Sequence, residues 1–321
     1  FANNRLWSHN DLESVKTEFE RCQSEAKSAF GNDGLYVEAL IDRAKHIEIQ
    51  VIGDGTNVTH LWDRECSVQR SHQKIVEIAP SPTLTPALRQ KLINAALSMA
   101  KRSDLRSLAT FEFLVDINSP GSFYFIEANP RLQVEHTVTE EVTATDLVQV
   151  QLKIATGQSI TQAGLSKAPD LPRGYAIQCR VNMETLTSDG AFKPTGGTIS
   201  VFEPPAGSGI RIDGFGYSGY ATSPRYDSLL AKLIIHTSTD NFKVATRKAY
   251  RACSEFRIEG LATNLPFLLN LLSSDEFESN EIYTRYVDDH LLELAKTGNH
   301  TSRFVEPPRL GNATANQTAV F

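Results

Sequence analysis

The sequence predicts an α+β fold in which an antiparallel sheet is covered by helices. Two hairpin patterns, a later strand-rich run and the helical stripes between them carry this expectation. Antiparallel strands join through short turns, whereas helices repeat their apolar residues at steps of three and four. The most informative hairpin is residues 110–127, where two runs of period-two alternation flank Asn118-Ser-Pro-Gly121, a turn composition. With those four residues as the loop, Ile117 faces Ser122, Val115 faces Tyr124, Phe113 faces Ile126 and Glu112 faces Glu127. One face is then apolar, and on the other two carboxylates oppose each other at roughly 5 Å, where like charges repel and a positive partner is required. Asn129 continues the Glu127 face. Two carboxylates and an amide oxygen suit Mg²⁺, although paired acids on a strand can also simply be solvated or ion-paired.

The remaining elements follow in order. Asn10-Asp-Leu-Glu13 reads as a capping box, and Leu12, Val15, Phe19, Cys22, Ala26 and Phe30 define an amphipathic helix that stops at Gly31. Residues 35–41 are expected to form a short buried strand carrying Glu38. Residues 46–52 and 57–63 predict a hairpin around Gly53-Asp54-Gly55, with His46, Glu48 and Gln50 on the face opposite Ile47, Ile49 and Val51. An ordinary solvated face would look the same. Residues 64–74 lack periodicity and read as a loop concentrating Arg64, Arg70, His72 and Lys74, suited to an anion. After Pro80 and Pro82, residues 85–102 predict a helix through Leu88, Leu92, Ala95, Ala96 and Met99. Beyond the hairpin, Arg131, Gln133 and Glu135 alternate with Leu132 and Val134, so an extended segment would line up a cation, an amide and a carboxylate. Asp146 caps a helix with Leu147, Val150 and Ile154 on one stripe, ending at Gly157.

A polar, proline-bearing stretch at residues 158–172 marks a subdomain boundary. Strands are expected at 175–181, 198–202, 209–212 and 229–235, separated by Gly-Gly, Pro-Pro and Gly-Ser. Helices follow from Thr239-Asp240 to Cys253, at 263–272 and near 282–295. The polar tail 296–321 reads as a linker. The expected division is therefore 1–157, 158–295 and 296–321.

Composition narrows the classes. With 321 residues, 40% hydrophobic and 22% charged, the chain can bury a sizeable core. A net charge of −6 argues against a nucleic-acid surface while leaving room for a local basic pocket. No apolar run approaches the about 18 residues of a membrane span. Cys22, Cys66, Cys179 and Cys253 lack metal-ligand spacing and read as reduced thiols of an intracellular protein, cytoplasmic or mitochondrial. Phe1 is not an initiator methionine, and the start is expected to be internal to a larger protein.

Three stretches together carry a family likeness: Glu127-Ala-Asn-Pro-Arg-Leu-Gln-Val-Glu-His136, Arg64-Glu-Cys-Ser-Val-Gln-Arg-Ser-His-Gln-Lys74 and His46-Ile-Glu-Ile-Gln50. From about Asn10 to about Ala295 the chain resembles the biotin carboxylase component of biotin-dependent carboxylases, an ATP-grasp family. The resemblance implies the C-terminal part of an ATP-grasp module followed by a biotin carboxylase C-terminal subdomain. It also implies ATP- and bicarbonate-dependent carboxylation of biotin through carboxyphosphate. Carried over residue by residue, Glu112, Glu127 and Asn129 match ligands of Mg²⁺ (or Mn²⁺). Glu38, His46, Gln69 and His72 match the nucleotide pocket. Lys74, Arg131, Gln133 and the Val134 backbone match the bicarbonate site, Glu135 matches the general base, and Arg211 matches the arginine that stabilises a biotin enolate. Arg211 could equally pair with Asp213, and Lys74 could be a solvated loop charge.

The implied cofactors are ATP, the divalent cation and biotin. The implied partners are bicarbonate, a biotin carboxyl carrier and a carboxyltransferase, as domains or subunits of an oligomer. Members of the family begin with a Rossmann-like domain and the first half of the ATP-grasp module, with its phosphate lysine and Gly-rich lid, none of which precedes Phe1 here. The isolated chain is therefore expected not to turn over ATP. Two other readings stay open: an ATP-grasp ligase of the carbamoyl-phosphate synthetase type, which also phosphorylates bicarbonate, and a non-catalytic binding module.

Overall fold

The computed structural model describes residues 12–35, 39–70, 73–165, 169–187, 191–223, 225–296, 298 and 300. The chain forms two compact units, Phe1–Asp42 and Arg43–Phe321. In the first, α1 (Leu12–Phe30) has Glu13 in its opening turn and Lys27 in its last, each complementing the helix dipole. It ends at Gly31, whose φ of +69° suits glycine. The expected capping residue Asn10 lies outside the described residues, as does Glu38. The strand expected at 35–41 is corrected: Ala39, Leu40 and Ile41 are not in a strand, and Leu40 is exposed. A lone apolar run needs a neighbouring strand for its backbone groups, and the described residues of this unit contain none.

The second unit is built on one eight-stranded sheet in which every pairing is antiparallel. Its first strands are β1 (Ala44–Asp54), β2 (Val58–Arg70) and β3 (Gln73–Ala79). The β1–β2 turn forms as expected, with Asp54 Oδ1 accepting from the Thr56 and Asn57 N–H groups at 3.0 and 2.7 Å. Gly53 is required there, because a Cβ would come 2.0 Å from the Leu105 carbonyl oxygen. The basic loop expected at 64–74 is instead the end of β2 and the start of β3, with Ser71 and His72 outside the described residues. Arg64, Glu65, Ser67 and Gln69 are all buried, and the β2–β3 ladder is broken by bulges. Polar side chains on both faces and shifted register together erase the period-two signal.

Helix α2 (Pro86–Arg102) starts where Thr85 accepts from the Leu88 N–H and Pro86 takes the first turn. It lays Leu92, Ile93 and Ala96 against Ile47, Ile49 and Phe111 of β1 and β4 (Arg106–Asp116). Strand β5 (Phe123–Asn129) forms the sheet edge, and its register corrects the expected hairpin. Glu112 does pair with Glu127, but nearer the turn Val115 pairs with Phe123 and Phe113 with Phe125. The loop is longer than four residues: the Ile117 N–H donates to the Arg43 carbonyl, while Asp116 Oδ1 accepts from the Asn118 N–H. A bulge at Ile126 restores the register before Glu127.

Helix α3 (His136–Thr143) escaped the sequence reading, and α4 (Leu147–Ala155) is capped by Asp146 as expected. Strand β6 (Tyr175–Asn182) returns to the sheet beside β3. Two short ribbons follow, β7 (Glu184–Leu186) with β8 (Phe192–Pro194), and β9 (Val201–Glu203) with β12 (Arg257–Glu259). Of the strand expected at 198–202, only residues 201 and 202 belong to one. The sheet ends with β10 (Ile210–Gly214) and β11 (Leu229–Thr237), giving the order β10-β11-β6-β3-β2-β1-β4-β5. Residues beyond 172 thus extend the same sheet as residues before 158. Helices α5 (Phe242–Glu255) and α6 (Leu265–Leu272) bury Ala245, Ala249, Leu268 and Leu271 against β3, β6 and β11, and three short helices, Asp275–Glu278, Tyr286–Asp289 and Leu291–Leu294, complete the unit. The tail from residue 301 lies outside the described residues. Among the described residues no helix is long and apolar enough to cross a membrane.

The C-terminal segment is fastened to the sheet by buried charge. Lys45 Nζ donates to Glu65 Oε1 at 2.7 Å and to the carbonyl and Oδ1 of Asn280 at 2.9 and 2.7 Å, while Ser81 Oγ donates to Glu65 Oε2 at 2.6 Å. Removing one partner of a buried pair strands the other, so Lys45→Met should cost about 3–5 kcal/mol in urea unfolding. The double variant Lys45→Met/Glu65→Gln should recover part of that loss, and additive losses would show the two side chains to be uncoupled.

Candidate active site

The polar face of the sheet is organised by β1. Alternation sends Ile47, Ile49 and Val51 toward α2 and His46, Glu48 and Gln50 to the other side, where they are buried rather than solvated. Arg64 on β2 is fully buried among them. Its Nε donates to Glu48 Oε1, Nη1 to Gln50 Oε1 and Thr139 Oγ1 at 2.8 and 2.9 Å, and Nη2 to Thr110 Oγ1 and Gln133 Oε1, both at 3.1 Å. All five guanidinium contacts fall on oxygen, which offsets a desolvation cost that no partial pairing could meet.

Lys74, at the start of β3, joins three acids. Its Nζ lies 2.6 Å from Glu48 Oε2, 2.7 Å from Glu135 Oε1 and 3.4 Å from Glu112 Oε1. Burial alone would raise the Glu48 and Glu112 pKa values. Arg64 and Lys74 overcome this for Glu48, and His46, Lys74 and Gln133 do so for Glu112, holding both at about 2. His46 Nε2 lies 2.6 Å from Glu112 Oε2, and its Nδ1 meets the Gln69 amide.

Glu112, Glu127 and Asn129 come together as the hairpin register requires. Asn129 Nδ2 donates to Glu112 Oε1 at 2.7 Å and to Glu127 Oε1 at 2.9 Å, so the positive end of an amide dipole sits between the two carboxylates. Turning that amide over would present Oδ1 and complete an all-oxygen donor set, which fits a hard divalent cation. A second cluster, His46 with Glu48 and Glu112, also brings its ligand atoms within 4.8 Å. There Arg64 and Lys74 already occupy both Glu48 oxygens, so ion pairing accounts for it.

The segment after Asn129 is not extended, which corrects the expected alternation of Arg131, Gln133 and Glu135. It coils into the start of α3, which Thr137 anchors through a hydrogen bond to Gln178 of β6. Gln133 and Glu135 turn into the buried network, where Gln133 Nε2 donates to Glu112 Oε1 at 2.8 Å. Arg131 stays exposed, and its Nη1 contacts the Leu132 carbonyl at 3.3 Å. His72 and Glu38 lie outside the described residues.

Two contributors were missed. Arg180 of β6 donates to Glu77 Oε1 at 2.6 Å and to Glu135 Oε2 at 3.2 Å, so Glu135 lies between Arg180 and Lys74. Lys232 of β11 donates to the Val134 carbonyl at 3.1 Å and lies 3.4 Å from Asp213 Oδ2. Burial pushes the Lys232 pKa below its usual value against the opposing pull of Asp213. The available signal was a single charge within each of the apolar runs 175–182 and 229–237. Arg211 stands apart from Glu135, with Nε and Nη2 each donating to Asp213 at 2.9 Å and Nη1 to Glu140 Oε2 at 2.8 Å. It borders an open cleft of about 470 Å³ formed with His136, Glu140, Glu141 and the start of α4.

Residues 8–163 match the family model of the carbamoyl-phosphate synthase L chain, ATP binding domain, and residues 178–289 match that of the biotin carboxylase C-terminal domain. Pyruvate carboxylase of Pichia angusta is 45% identical over 297 residues, covering 91% of this chain and 25% of that protein. Pyruvate carboxylase 1 of Caenorhabditis elegans is 46% identical over 281 residues, covering 87% and 23%. The chain thus spans about a quarter of the length of the curated relatives it matches. Among solved structures, the biotin carboxylase domain of a single-chain bacterial carboxylase aligns with a TM-score of 0.76 at 45% identity, covering 89% of this chain and 67% of that one. The biotin carboxylase domain of a thermophilic 2-oxoglutarate carboxylase bound to bicarbonate aligns with a TM-score of 0.81 at 39% identity, covering 88% and 62%.

The depressed acids set a pH dependence. A carboxylate whose pKa falls from 4.5 to about 2 on folding contributes stability above pH 4.5 that is lost as pH falls toward 2. Urea midpoints measured across that window should drop steeply, and Glu112→Gln should flatten part of the drop. An unchanged slope in the variant would assign the acid sensitivity elsewhere.

Proposed function

Because the chain belongs to the biotin carboxylase family of ATP-grasp proteins, we propose that it carries most of the biotin-carboxylating site of a larger biotin-dependent carboxylase. In this reading ATP phosphorylates bicarbonate to carboxyphosphate and ADP leaves. Carboxyphosphate then breaks into CO₂ and phosphate beside biotin; the phosphate takes the proton of the ureido nitrogen, and that nitrogen bonds to CO₂. The arrangement of Lys74 and Glu135 carries the reading: a cation and a carboxylate 2.7 Å apart, next to the Gln133 amide and the Glu112 and Glu127 carboxylates that the Asn129 amide joins.

Each residue has a separate task. Glu112, Glu127 and Asn129 would hold Mg²⁺ or Mn²⁺, which neutralises nucleotide phosphate charge when bound. His46 and Gln69 would border the nucleotide, a role that the family likeness also gives to Glu38 and His72. Lys74, Arg131, Gln133 and the Val134 backbone bind bicarbonate, and Glu135 removes its proton as it attacks phosphorus. Arg211 stabilises the oxygen of the biotin enolate, a role that suits a permanently charged, planar donor. Residues 1–157 supply the ATP-grasp share, residues 158–295 the C-terminal subdomain and residues 296–321 a linker. Biotin arrives on a carboxyl carrier and leaves for a carboxyltransferase.

The test uses the full-length protein, with phosphate release measured from ATP, Mg²⁺, bicarbonate and free biotin. ATP cleavage should require bicarbonate and rise with biotin. Glu135→Gln should lower the chemical step by a factor on the order of 10²–10⁴, the scale of a general base, with nucleotide affinity by calorimetry nearly unchanged. A large fall in affinity with normal turnover would make Glu135 a binding residue. Arg211→Ala should abolish biotin carboxylation and spare bicarbonate-dependent ATP cleavage, and equal loss of both would remove the role given to Arg211.

A further inference from the structure

Lys232 touches both halves of the proposed site. Asp213 of β10 and Lys232 of β11 are direct cross-strand partners, and so are Lys232 and Arg180 of β6. Three adjacent strands therefore set Asp213, Lys232 and Arg180 in a row across the polar face. The row reaches Arg211 at one end, because Asp213 holds that guanidinium with both oxygens at 2.9 Å. At the other end Arg180 lies 3.2 Å from Glu135 Oε2. In the middle, Lys232 Nζ spans the Val134 carbonyl at 3.1 Å and Asp213 Oδ2 at 3.4 Å.

We infer that Lys232 is a positioning residue that couples the bicarbonate segment to Arg211, so that carboxyphosphate forms only where biotin can receive its CO₂. The inference rests on the biotin-carboxylating reading of the site. The carbonyl that Lys232 holds belongs to the peptide joining Val134 to Glu135, so its contact fixes the backbone on which the proposed base is mounted. Its contact with Asp213 fixes the carboxylate that orients Arg211. The Lys232 side chain is 12% exposed, leaving its ammonium little water to replace either partner. Loss of the ammonium would free Val134 and Asp213 to move independently, and small misplacement of reacting groups carries a large rate cost.

The experiment compares full-length parent, Lys232→Gln and Lys232→Arg, measuring ATP cleaved and biotin carboxylated in the same reaction and the KM for free biotin. The expected result for Lys232→Gln is a rise of about tenfold or more in ATP consumed per carboxybiotin formed, since one misalignment of this kind is worth up to about a hundredfold. Lys232→Arg, which keeps the charge and can bridge the same two oxygens, should restore part of the coupling. An unchanged ratio in Lys232→Gln overturns the inference. Equal loss of both activities in both variants, with or without loss of folding, also overturns it, because a purely structural lysine would behave that way. The parent protein separates this from the broader reading: absence of bicarbonate-dependent ATP cleavage in the parent would sink the biotin-carboxylase assignment itself, whereas its presence with an unchanged ratio removes only the role of Lys232.

Discussion

Compensation of charge inside the sheet is the constraint on which the rest of this structure depends. Glu48 and Arg64 have no exposed side-chain surface, and Lys74 has little. Leaving any one unpaired would cost several kcal/mol, a large share of the stability of a typical domain. The groups therefore have to be placed together: Arg64 spends its five donors on Glu48, Gln50, Thr139, Thr110 and Gln133, and Lys74 closes the circuit to Glu112 and Glu135. These partners come from β1, β2, β3, β4, the segment leading into α3 and α3 itself. Strand order, the bulges of β2 and the coil after Asn129 are thus tied to one electrostatic solution.

The two faces of the sheet divide the work. On one, α2 packs aliphatic residues against β1 and β4, while α5 and α6 do the same for β3, β6 and β11. On the other, α3 places Val138 and Val142 on Ala79, Ala176 and Ile234, and the chain just before it carries Gln133 and Glu135 into the charged layer. A single strand such as β1 serves both, with isoleucines on the core side and His46, Glu48 and Gln50 on the other. Rigid packing behind the strands lets the polar groups hold fixed separations.

This division explains what could be read from sequence. The β1–β2 hairpin, α2 from Thr85, α4 from Asp146 and most of the later strands carry local signals, since caps, turns and apolar steps act within a few residues. The pairing of Glu112 with Glu127 was also legible, although two errors in the expected hairpin cancelled: a longer loop shifted the register and the bulge at Ile126 shifted it back. What failed was what depends on partners distant in sequence. Residues 64–74 looked like a basic loop because burial of Arg64, Glu65 and Gln69 is made possible only by other strands. Arg180 and Lys232 passed unnoticed because a single charge in an apolar strand says nothing until its neighbours across the sheet are known. Helix α3 offers only Val138 and Val142 as a stripe, too short a signal beside the alternation at 131–135.

The site also has a stiff part and an adaptable part. Around Glu48 every exchange of partner would pass through an unpaired buried charge, so its geometry is fixed before any ligand arrives. Arg211 is different: about a third of its side chain is exposed, and three acids, Asp213, Glu140 and Glu141, share one guanidinium. Asp213 takes two donors in a fork geometry that sets the plane of the group. Glu140, only 10% exposed, holds a single nitrogen at 2.8 Å, whereas Glu141, more exposed, lies at 3.5 Å, a contact of the surface kind worth about 0–1 kcal/mol. An oxyanion entering the cleft could replace Glu141 at small cost while Asp213 kept the guanidinium in place. One end of the polar layer is thus locked by buried ion pairs, while at the other the guanidinium can exchange one of its partners.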